Sequence, residues 1–133
     1  MTMEITRAAP EREGERSEEP ERWEPVCHLA ELPLERGAAA LVAGRQVALF
    51  RLDDGAVVAV CQRDPYSGAY VVARGIVGSR AGRPTVASPM YKHVFDLRTG
   101  ECVETHGGEA RPLRTYATRV IDGVVHIARA VTA

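Results

Sequence analysis

The chain has 133 residues, 45% hydrophobic and 26% charged, with a formal net charge of −1. That length suits one domain rather than two, and a near-neutral balance argues against a nucleic-acid surface, which needs a clustered basic excess. No apolar run approaches the roughly 20 residues of a membrane span, and Glu4 with the acidic stretch from Glu11 interrupts any signal-peptide pattern, so a cytoplasmic location is expected.

Residues 1–22 hold seven Glu, four Arg and two Pro, with almost no large apolar side chains. Such a segment cannot bury enough surface to offset its ordering entropy, and a disordered charged tail is expected. Pro10, Gly14 and Pro20 break any long helix in it. A β domain is expected over residues 23–130, leaving a short tail at 131–133. Its first strands fall at 23–29 and 38–43; Gly44-Arg45 turns the chain into 46–52, and Asp53-Asp54-Gly55 turns it into 56–61. The section 62–83 is loop-rich, with Pro65, Gly68, Gly75, Gly78 and Gly82, and offers only brief strands at 69–73 and 76–77.

Short strands resume at 84–88, 92–97 and 101–104, and a loop containing Gly107-Gly108 follows at 105–112. The last hairpin pairs 113–120 with 124–130 around Ile121-Asp122-Gly123, where Asp-Gly suits the positive φ values of a type I′ turn. No segment carries a helical apolar period. Many short strands with frequent turn residues indicate an all-β antiparallel sandwich or small barrel.

Cys27, Cys61 and Cys102 cannot all pair and match no metal or redox spacing, so they are expected as reduced thiols. His28, His93, His106 and His126 lie on different predicted elements, and a shared metal site would have to be assembled entirely by folding. Ser88, His93 and Asp64 or Asp96 contain the residue types of a hydrolase triad. The chain lacks the Gly-x-Ser-x-Gly elbow that usually presents such a serine.

The most informative stretch is Ser88-Pro89-Met90-Tyr91-Lys92-His93-Val94-Phe95-Asp96-Leu97-Arg98-Thr99-Gly100. It resembles the second ligand box of a Rieske iron–sulfur domain, Cys-Pro-x-His-Gly-x-x-Phe-Asp-x-x-x-Gly. Ser88 stands at the cysteine position and Tyr91 at the histidine position. Upstream, Asp64-Pro65-Tyr66-Ser67-Gly68-Ala69 resembles the first box, with Asp64 for cysteine and Tyr66 for histidine. A Rieske centre needs two thiolates on one iron and two imidazoles on the other, and an Asp/Tyr/Ser/Tyr set offers neither.

With Arg74-Gly75-Ile76-Val77-Gly78, Val86-Ala87 and Asp122-Gly123-Val124-Val125, these boxes resemble the small subunit of assimilatory NAD(P)H-dependent nitrite reductase over roughly residues 23–130. The resemblance implies a Rieske-like β-sandwich whose two boxes form the tip of a small inserted subdomain. It also implies a non-catalytic subunit with no catalytic, metal-binding or cofactor-binding residue of its own. The partner would be a large subunit carrying sirohaem, a [4Fe–4S] cluster, FAD and the NAD(P)H site, the complex reducing nitrite to ammonium. An aromatic and basic patch of Arg63, Tyr66, Arg74, Tyr91, Lys92 and His93 is the expected contact with that subunit. Two other functions fit the residues less well, an electron-transfer ferredoxin of Rieske type and a stand-alone interaction module.

Overall fold

The computed structural model describes residues 3–5 and 23–129, which form twelve strands and two short 3-10 turns. A meander builds the middle layer: β3 (Gly37–Val42), β4 (Arg45–Arg51) and β5 (Val57–Cys61) pair antiparallel in sequence order. Their side chains alternate between two cores. Ala38, Ala40, Val42, Val47, Leu49, Val57 and Ala59 face one, whereas Ala39, Ala48, Phe50 and Val60 face the other. Both faces are thus covered, so the strands read as nearly unbroken apolar runs rather than as alternation.

The first core is closed by β2 (Trp23–His28), β11 (Thr118–Ile121) and β12 (Val124–Ala128), arranged in the order β11-β12-β2. Asp122 (φ 51°) and Gly123 (φ 78°) turn β11 into β12, as the Asp-Gly pair predicts. The second core lies under a four-stranded sheet, β6 (Ile76–Arg80), β7 (Arg83–Ala87), β8 (Val94–Asp96) and β9 (Cys102–Glu104), inserted between β5 and β10 (Thr115–Tyr116). The expected sandwich with an inserted subdomain is what the chain forms.

Three local differences have physical causes. The strand expected over 69–73 does not form: Tyr70 makes one bridge to Arg63, and Val72–Arg74 close a 3-10 turn. Gln62 diverts the backbone there, its carbonyl accepting the Val72 N–H (3.1 Å) and its Oε1 the Ala73 N–H (2.7 Å). The strand expected over 113–120 divides at Ala117, with β10 pairing to β5 and β11 to β12. Finally, β1 (Met3–Ile5) pairs in parallel with β3, Met3 opposite Ala38, and covers an edge that β3 would otherwise leave unpaired. The rest of the expected leader, 1–2 and 6–22, lies outside the described residues, as do 130–133.

Candidate functional site: a tip joined by hydrogen bonds

The two boxes meet at the tip of the inserted subdomain, and the meeting point is Asp64 with Ser88. Both are fully buried, at 0% exposure. Asp64 Oδ1 accepts the backbone N–H groups of Tyr66 (2.7 Å) and Ser67 (3.0 Å), and its Oδ2 accepts the Ser88 hydroxyl hydrogen. Ser88 Oγ in turn accepts the Met90 N–H at 3.2 Å. One carboxyl group therefore caps the first loop and ties it to the second, so the loops are held together by hydrogen bonds at two positions where the Rieske pattern places cysteine.

The same turn occurs again in the second box. Asp96 Oδ1 accepts the N–H groups of Arg98 (2.7 Å) and Thr99 (3.0 Å), and its carbonyl accepts that of Gly100 at 2.8 Å, as the Asp64 carbonyl accepts that of Gly68 at 2.8 Å. Ser67 Oγ and Thr99 Oγ1 each accept the amide two residues on, both at 3.1 Å. An Asp-x-x-Ser/Thr-Gly sequence is the common signature, using short side chains that bond their own backbone.

The free oxygen of Asp96 takes the Arg83 guanidinium at 2.6 Å. Burial by itself would raise the Asp96 pKa, but the Thr99 and Arg98 amides and the Arg83 charge outweigh it and hold the carboxyl below its ordinary value. A group depressed in the folded state stabilises the fold above its unfolded pKa of about 3.9 and loses that contribution as pH falls through the folded value. Thermal melts between pH 6 and 3 are expected to fall off below about pH 4, and Asp96→Asn to flatten that acid limb.

Above the Asp64–Ser88 link sits an aromatic ladder. Tyr66 stacks on His93 with ring centroids 3.6 Å apart and planes 13° from parallel, and Tyr91 meets His93 edge-on at 6.4 Å and 73°. His93 Nδ1 accepts the His106 N–H at 3.1 Å, and the two imidazoles lie 6.0 Å apart. The Tyr66 hydroxyl accepts the Arg111 N–H (2.8 Å) and reaches Cys102 Sγ (3.4 Å). Burial and the Cys102 contact push the Tyr66 pKa up despite the opposing Arg111 amide. Arg111 also lies 5.7 Å from the Tyr66 ring centroid, a cation–π contact.

The predicted residues divide by exposure. Arg63, Arg74, Tyr91 and Lys92 are exposed, Tyr66 is half-buried, and His93 is buried at 3% exposure beneath the tyrosines. His93 therefore supports the surface from below. Sequence reasoning treated Cys102 only as a reduced thiol and His106 only as a possible metal ligand, and it passed over Arg111; the three come from β9 and from the loop at 105–112. Nothing in their local sequence signals the tip, because only the chain's path brings them there. Tyr70 (52% exposed) and Ile76 (72%) were missed as well, although both adjoin named residues on the same segment.

A further feature is backbone strain. Tyr91 (φ 65°) and Lys92 (φ 61°) both adopt the left-handed conformation, at roughly 1–2 kcal/mol per non-glycine residue. Lys92 stands where the Rieske box has glycine.

The chemistry of the tip fits neither an iron–sulfur cluster nor a hydrolase. Asp64 and Ser88 are bonded to each other, and no thiol or imidazole stands at any of the four ligand positions. Ser88 Oγ is engaged by Asp64 and Met90 rather than by His93, so the triad arrangement does not form. Cys27, Cys61 and Cys102 are free thiols. Among the described residues, no helix is long and apolar enough to cross a membrane.

An antiparallel sandwich with two facing box loops on an inserted subdomain defines a Rieske-like domain, and the family profile described as "Rieske-like [2Fe-2S] domain" matches residues 22–128. The nitrite reductase (NADH) small subunit of Escherichia coli is 35% identical over 107 residues, covering 80% of this chain and 96% of that protein. A crystal structure described as an NADH-dependent nitrite reductase small subunit from Mycobacterium tuberculosis superposes with a TM-score of 0.74 at 42% identity, covering 83% of this chain and 96% of that one. A third relative, the nitrite reductase [NAD(P)H] large subunit of Klebsiella oxytoca, is 37% identical over 105 residues; the match takes in 79% of this chain but only 11% of that protein's length. The chain belongs to the Rieske-like family, among its nitrite reductase small subunits.

Proposed function

We propose that this chain is a cluster-free, non-catalytic subunit that docks its tip on the large subunit of an NAD(P)H-dependent nitrite reductase. The large subunit would hold the sirohaem, [4Fe–4S] cluster, FAD and nicotinamide site and would reduce nitrite to ammonium. The observation that carries this reading is the Klebsiella relative, in which a protein named as the large subunit contains a segment 37% identical to this chain. A module found within the larger polypeptide in one protein and as a separate chain in another has reason to bind its counterpart. The tip supports it too, since Arg63, Arg74, Tyr91 and Lys92 are exposed there, residue types that include those enriched at interface centres.

Reversing two charges, Arg63→Glu with Lys92→Glu, tests the contact. Co-purification with the cognate large subunit is expected to fall at least tenfold, because like-charge juxtaposition suppresses association. Undiminished recovery would place the interface elsewhere. Purified without the large subunit, the chain itself should be colourless, whereas a Rieske ferredoxin would absorb in the visible.

A further inference from the structure

We infer that the strained Tyr91–Lys92 turn is the element that selects the partner, Lys92 meeting a carboxylate on the large subunit and Tyr91 entering an apolar recess beside it. This rests on the subunit reading above and names the residues and partner chemistry that it leaves open.

Three independent observations converge on that turn. The first is conformational. Two consecutive non-glycine residues occupy the left-handed region, at φ 65° and 61°. The isolated chain would be more stable with glycine at 92, the residue for which that conformation carries no steric cost. A strained backbone at an exposed position points to a role for the side chain that imposes the strain. Lys92 is exposed, and it enters none of the ion pairs formed among the described residues.

The second is charge. Across 62–76 and 88–93, the two segments joined by the Asp64–Ser88 bond, the exposed charged residues are Arg63, Arg74 and Lys92. The one acid there, Asp64, is fully buried. Along these two segments every exposed charge is positive, a pattern complementary to an acidic partner; the adjoining β9 and 105–112 loop add Glu104, paired with Arg80 and His106, and the exposed Glu109.

The third is apolar exposure. Tyr70, Ile76 and Tyr91 are 52%, 72% and 61% exposed, and all lie on the same two segments. Tyr91 is in addition held edge-on by His93, itself fixed by its stack on Tyr66 and by the His106 amide. A ring pre-positioned in this way loses little rotamer freedom on docking.

The experiment compares the full chain and its variants for thermal stability and for affinity to the purified cognate large subunit. Lys92→Gly is expected to raise the melting temperature by about 4 °C and yet to weaken binding about tenfold, with a shallower salt dependence. Lys92→Arg keeps the charge and should keep most of the affinity. Tyr91→Ala should weaken binding about thirtyfold, as an aromatic anchor does. Lys92→Gly binding as tightly as the native chain would overturn the assignment while leaving the subunit reading intact, and so would a melting temperature that does not rise. A native chain that fails to bind the large subunit at all would overturn the subunit reading itself.

Discussion

Asp64→Ala is expected to destabilise the chain by about 3–4 kcal/mol, measured as a shift in the urea midpoint at unchanged slope. The side chain accepts three hydrogen bonds at a fully buried site, from the Tyr66 and Ser67 amides and from the Ser88 hydroxyl. Alanine removes both acceptor oxygens and leaves the three donors without those partners. An unsatisfied buried donor costs on the order of 1–3 kcal/mol. Asp64→Asn separates the causes. It keeps an oxygen for the two amides and can donate to Ser88 Oγ, so its loss should be nearer 1 kcal/mol. Equal losses for Ala and Asn would show that the charge, and not the bonding pattern, holds the tip.

Gly100→Ala should cost a comparable amount, about 3–5 kcal/mol, from two additive causes. Gly100 has φ +80°, and a Cβ there would lie 2.1 Å from the Leu113 carbonyl oxygen and 3.0 Å from Thr115 Cγ2. The closeness is built into the fold, because the Leu113 N–H donates to the Gly100 carbonyl at 2.8 Å and anchors the returning chain beneath the second box. Gly108 provides the comparison: its φ is +83°, but a methyl group at that position would meet nothing within 4 Å. Gly108→Ala should therefore show only the conformational part, about 1–2 kcal/mol. Chemical denaturation of the two variants side by side measures the difference.

Much of this architecture was legible in the residues. The meander was written in its apolar runs and in Gly44 and Asp53-Asp54-Gly55, since local pairing across short turns leaves a local trace. The four substituted positions were legible because Pro65, Pro89 and Phe95 fix the register of both boxes. What the residues did not disclose was long-range. The Asp64–Ser88 bond spans 24 positions, and the Arg111 amide reaches Tyr66 over 45. No local pattern encodes such a pairing. The inward orientation of His93 was hidden for a related reason, because its two partners, Tyr66 and His106, come from separate loops. By contrast, the repeated Asp-x-x-Ser/Thr-Gly turn was present in the sequence and could have been found by comparing the two boxes with each other.

The middle sheet has a consequence for motion. Phe50 and Val60 form one wall of the core beneath the tip, while Leu49 and Ala59, their immediate neighbours, form a wall of the other. Detaching the tip layer would bare one face of strands whose opposite face is still packed, an arrangement with no stable half-open form. Amide exchange in β4 and in the box loops should then be governed by the same global opening, rather than by separate local ones. On the proposed docking, the tip would meet the large subunit already rigid, and the binding energy would not be spent on ordering it.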